Sequence, residues 1–166
     1  MFGCIMLFAR TISPSAGGME THQVEMMKNC MWVVTLDYGY SVYFKKNLRF
    51  NGNLRGLIYF LNIIILQDHI RALFMNDASF LSISSELRNA FPSLIFLLRS
   101  GGNDIYRAPW ENDDIPLHIR QENIRKAINE NINIFIVNSD FSYLRSLKFG
   151  IRKDIIKKVR GGVDIT

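Results

Sequence analysis

The sequence predicts an α/β domain (or α+β): a mixed β-sheet with an N-terminal antiparallel meander and a C-terminal βαβ unit, with helices packed on the sheet. Three observations carry this reading. The 166 residues are 48% hydrophobic and 21% charged, values typical of a chain with a core; at this size roughly two-thirds of the unfolded surface is buried. Asn51-Gly52 is a hairpin signal, because both residues tolerate the left-handed angles of a type I′ turn. Between Ser93 and Val137 an apolar run, a helical stripe and a second apolar run succeed one another at crossover spacing, which implies parallel strands and a right-handed connection.

Residues 1–29 read as a flexible N-terminal arm, since Ser13-Pro14-Ser15-Ala16-Gly17-Gly18 has linker composition. Residues 30–166 read as a single α/β domain. Residues 31–36 (MWVVTL) are rich in β-branched and aromatic residues and predict a strand. Asp37-Tyr38-Gly39 offers a turn, and residues 40–44 (YSVYF) predict a second strand. The run at 54–66, LRGLIYFLNIIIL, completes the meander as a third strand. Three successive isoleucines favour strand, and Gly56 costs a helix about 1 kcal/mol. Helix is the competing reading, because a continuous apolar run has no period to type it.

A helix is expected over 79–90, with Phe80, Ile83, Leu87 and Phe91 on one face and Asp77 or Ser79 as its cap. Pro92 ends it. Residues 93–99 (SLIFLLR) suit a buried strand. A helix over 117–130 follows, with Leu117, Ile124, Ala127 and Ile128 inward, and then a strand at 132–137. Ser139 and Asp140 are placed to cap a short helix over 141–148 that Gly150 breaks. A last helix is expected from 151 to 160, with Ile151, Ile155 and Val159 on one side.

Chemistry on such a sheet is expected beyond the carboxyl ends of parallel strands. Two such turns are Ser100-Gly101-Gly102-Asn103-Asp104 and Asn138-Ser139-Asp140. Asp104 and Asp140 could hold Mg²⁺, an ion that takes oxygen ligands. Ser100, Gly101, Gly102 and Ser139 could cradle a phosphate. The plain alternative is turn and cap. The polar stretch from Asn103 to Asp114 contains Arg107 and Trp110, residue types that anchor interfaces, although the tryptophan could also fold back on the core.

Net charge is +5, but seven basic residues and a single acid fall between Arg145 and Arg160. Lys148, Arg152, Lys153, Lys157, Lys158 and Arg160 therefore form the segment that would meet nucleic-acid phosphates, an anionic membrane or an acidic protein surface. The bland alternative is a final helix with its lysines in water. No nucleotide-binding, zinc-protease or hydrolase motif is present, and neither the three histidines nor Cys4 and Cys30 have a catalytic neighbour in sequence. Two cysteines favour a reducing compartment, hence a cytoplasmic location. No apolar run approaches the roughly 20 residues of a spanning helix.

The expectation is a non-catalytic regulatory or protein-interaction domain without a cofactor, bound to a protein partner or to a second copy of itself. Its alternative is a small Mg²⁺-dependent enzyme acting on phosphates of nucleic acid or nucleotide.

Overall fold

The computed structural model describes residues 4–9, 32–35, 47–49, 52–100, 104–107 and 114–159. Among them a seven-stranded sheet runs through β1 (Cys4–Ala9), β2 (Trp32–Thr35), β3 (Asn47–Arg49), β4 (Ile70–Met75), β5 (Ile95–Arg99), β6 (Ile134–Val137) and β7 (Ile156–Lys158). The spatial order is β3-β2-β1-β4-β5-β6-β7. Every neighbouring pair is parallel.

The mixed sheet with an antiparallel meander is therefore wrong. Gly52 does take a positive φ of 88°, yet it does not close a hairpin. It leads into Asn53, whose Oδ1 accepts from the Gly56 amide at 3.0 Å and so caps helix α1 (Leu54–Gln67). The run read as a third strand is this helix. Leu57, Leu61 and Ile64 are its buried residues, spaced four and three apart as on one helical face. Burial of that face outweighs the strand preference of the isoleucines. The second predicted strand, 40–44, lies outside the described residues.

The arm reading is also corrected for residues 4–9. They form β1, paired with β2 on one side and β4 on the other, and Met6 through Ala9 are fully buried. β4, unrecognised in the sequence, pairs with β1 and β5. The expected helix at 79–90 divides into a 3₁₀ turn (Ala78–Ile83) and α2 (Ser84–Ala90), with Asp77 capping the turn through the Ser79 amide at 2.7 Å. A short helix α3 (Asp104–Arg107) follows β5.

β5 and β6 are parallel neighbours joined over α4 (Leu117–Asn131), as the spacing predicts. α5 (Asp140–Phe149) is capped by Ser139 and stopped by Gly150, whose φ of 92° suits a residue without a side chain. The last predicted helix is absent. Ile151 and Ile155 are buried, but they lead into the edge strand β7 rather than line a helical face. The chain steps from β4 to β7 in one direction. Right-handed crossovers therefore put α2, α4 and α5 on one side of the sheet. No helix among the described residues is long and apolar enough to cross a membrane.

Candidate functional site at the carboxyl edge of the sheet

From β1 the chain winds outward to β2 and β3, then returns to β4 and winds the other way to β7. The direction reverses between β1 and β4, and ligands of open parallel sheets bind beyond the strand ends at such a point. Asn76 stands there, fully buried directly after β4. Its amide donates to the Phe8 carbonyl at 2.9 Å, which binds the end of β4 to that of β1. Its Oδ1 accepts from Arg99 Nη1 at 3.4 Å. A carboxamide and a guanidinium thus face each other at the ends of β4 and β5. The pair places a guanidinium, a fixed cation suited to a phosphate, at this edge.

The surrounding groups are held in place by local bonds. Asp77 accepts from both the amide and the hydroxyl of Ser79. The Ser100 amide donates to the Ile136 carbonyl at 3.3 Å. Ser139 Oγ accepts from the Ser142 amide at 3.1 Å and lies 3.0 Å from the Ser142 hydroxyl. Ser142 Oγ also reaches Asn138 Oδ1 at 3.3 Å.

The βαβ unit brings the start of α3, with Asp104, and the start of α5, with Asp140, to the same edge of the sheet. The Asp140 carboxylate accepts from Lys158 Nζ. Among the described residues no three His, Cys, Asp or Glu side chains cluster as a metal site would. Gly101, Gly102, Trp110 and Arg160 lie outside the described residues, and Arg107 closes α3.

The basic segment does not form one helix. Lys148 is on α5, Arg152 pairs with Asp154 at 3.5 Å, Lys153 is exposed in the following turn, and Lys157 and Lys158 are exposed on β7. Asn76 and Arg99 had no motif to announce them. Their signal is positional, and it requires recognising 70–75 as a strand.

No family model matches the sequence, and no curated protein sequence does. The fold, however, is similar to solved structures. Anabaena Alr3699/HepE in complex with UDP and glucose is 16% identical, with a TM-score of 0.71 over 99% of this chain and 46% of that one. Sucrose-phosphate synthase from Thermosynechococcus elongatus is 14% identical, with a TM-score of 0.67 over 98% of this chain and 49% of that one. The lipopolysaccharide outer core galactosyltransferase WaaB is 14% identical, with a TM-score of 0.59 over 98% of this chain and 46% of that one. The chain spans about half the length of each.

These likenesses show a Rossmann-like α/β fold. They overturn the expectation of a non-catalytic regulatory or interaction domain, and equally its alternative of a Mg²⁺-dependent enzyme on nucleic acid. Two of the similar folds are, by name, a sucrose-phosphate synthase and a galactosyltransferase, and the third holds UDP and glucose.

Proposed function

We propose that this chain is one Rossmann-like half of a glycosyltransferase that uses a nucleotide-activated sugar. The observation that carries the reading is the likeness, over nearly the whole chain, to a structure holding UDP and glucose. In such a transfer the bond from the anomeric carbon to the diphosphate oxygen breaks. An acceptor hydroxyl bonds that carbon and gives up its proton, and the nucleoside diphosphate leaves with the electron pair. Negative charge builds on the leaving group, where a preorganised cation is most effective.

In this reading Arg99 supplies the charge and Asn76 orients it, with Ser100, Asn138 and Ser139 along the same edge. The sugar nucleotide is a substrate, not a resident cofactor. The reading keeps the cytoplasmic location expected from the cysteine count.

Amide shifts of the ¹⁵N-labelled chain, titrated with UDP-glucose, UDP and glucose, test the proposal. Shifts are expected at Asn76, Asp77, Ser100, Asn138 and Ser139. Arg99→Ala should weaken nucleotide binding about tenfold or more, the value of a charge-assisted hydrogen bond. No response to any of the three at millimolar concentration, or shifts confined to the opposite edge at Asp68 and Asn133, would overturn the assignment.

A further inference from the structure

Asn51-Gly52 suggests a hairpin in the sequence, and the fold leaves the pair without that role. It is the only place in the chain where an asparagine precedes a glycine. Gly52 lies between β3 and α1, exposed and with a φ of 88°. Its carbonyl accepts from the Leu54 amide at 3.0 Å. Its own amide donates to no acceptor among the described residues. A Cβ built on Gly52 would meet no heavy atom within 4 Å. The backbone nitrogen that follows Asn51 is thus unbonded, belongs to an exposed residue and is not screened by a side chain.

Asn53 stands in the opposite circumstances. Its Oδ1 accepts from the Gly56 amide at 3.0 Å, and its successor, Leu54, has a branched side chain and an amide already given to the Gly52 carbonyl.

We propose that Asn51-Gly52 is a site of spontaneous covalent modification, at which Asn51 is converted to isoaspartate and aspartate. The Gly52 nitrogen gives up its proton and bonds Cγ of Asn51, and the side-chain nitrogen leaves as ammonia. Water then opens the five-membered imide. Attack at one carbonyl restores the normal backbone as aspartate, and attack at the other leaves the backbone running through Cγ as isoaspartate. Water is the only co-reactant. Either product adds a negative charge two residues ahead of the Asn53 cap, before a helix with no acid in its first turn. Isoaspartate also lengthens the backbone by one methylene there. The inference uses none of the sugar-transfer reading and stands or falls separately from it.

Incubation of the full chain for days at mildly alkaline and mildly acidic pH, followed by tryptic mapping, tests it. Arg49 and Arg55 release peptide 50–55, which carries both asparagines, so Asn53 is an internal control. The mass gain of amide-to-acid conversion is expected at Asn51 and not at Asn53, and faster at alkaline pH. Isoaspartate in the product should accept a methyl group from S-adenosylmethionine through protein isoaspartyl methyltransferase. Gly52→Ala should slow the conversion about tenfold or more. The folded chain should convert within about tenfold of the free peptide of the same sequence, as an amide without protection does. Four outcomes overturn the inference: no conversion at Asn51, conversion of Asn53 at the same rate, aspartate without isoaspartate, or a folded chain protected far beyond that margin.

Discussion

Arg88 on α2 shows how one side chain can join distant parts of the fold. Its Nη2 donates to the Asn131 carbonyl at 2.6 Å and to Asn133 Oδ1 at 2.5 Å. Nη1 reaches the Leu94 carbonyl at 2.9 Å, and the guanidinium lies 4.0 Å from the centre of the Phe96 ring. Burial pushes its pKa below the usual arginine value, because desolvation disfavours the charged form. The end of α4 and the starts of β5 and β6 are tied through this single cation. Arg88→Ala leaves those carbonyls without their donor and should cost about 2–4 kcal/mol in urea unfolding. Arg88→Lys should recover only part of that, since an ammonium cannot reproduce the fork. A destabilisation within about 0.5 kcal/mol, the usual range for a surface substitution, would mean the network holds nothing together. None of this was legible in the sequence, where Arg88 is one more charge on a helix and two of its partners, Asn131 and Asn133, lie more than forty positions away. Ser139 is the contrast: its partner is three residues on, so the cap could be read directly.

At the scale of an element, α1 decides between the strand and the helix that its apolar run allows. As a strand, positions 57, 59 and 61 would share a face. As the helix observed, Leu57 and Leu61 point inward while Tyr59 is 72% exposed. Leu61→Ala should therefore cost about 3 kcal/mol in chemical denaturation, and Tyr59→Ser should stay within about 0.5 kcal/mol. Comparable losses at both positions would contradict the helical phase. The misreading has a physical cause. Ile63, Ile64 and Ile65 carry local strand preference, but helix or strand is decided here by the sheet face that Leu57, Leu61 and Ile64 cover. The βαβ stretch was readable because α4 has a polar outer face and Pro92 and Pro116 punctuate it. The final basic segment was misread for the opposite reason. Ile151 and Ile155 repeat at helical spacing, yet β7 forms because Phe135, Ile136 and Val137 offer it an open parallel edge.

For the whole molecule, the decisive feature is what lies at the centre of the sheet. A strand buried on both faces reads as a plain apolar run, and residues 4–9 (CIMLFA) match that description although the linker composition that follows them suggests an arm. Only pairing distinguishes the two, and pairing is non-local. β1 meets β2 through Met6–Ala9 and β4 through Cys4–Phe8. Its Phe8 ring stands edge to face against Phe80 with centroids 5.0 Å apart, and its Phe8 carbonyl accepts from the Asn76 amide at the carboxyl edge. The candidate site therefore depends on a strand that the sequence reading set aside as an arm. Removing residues 1–9 would split the sheet into a short β2–β3 piece and a β4–β7 piece, each with a new apolar edge and an uncovered core. The expected outcome is a chain without a cooperative thermal transition that is cleaved rapidly by protease, whereas loss of a true arm would leave the melt unchanged. Circular dichroism melts and limited proteolysis of the full and shortened chains distinguish these results. A shortened chain that melts cooperatively near the parent temperature would displace β1 from the centre of the fold, and with it the anchoring of Asn76 beside Arg99.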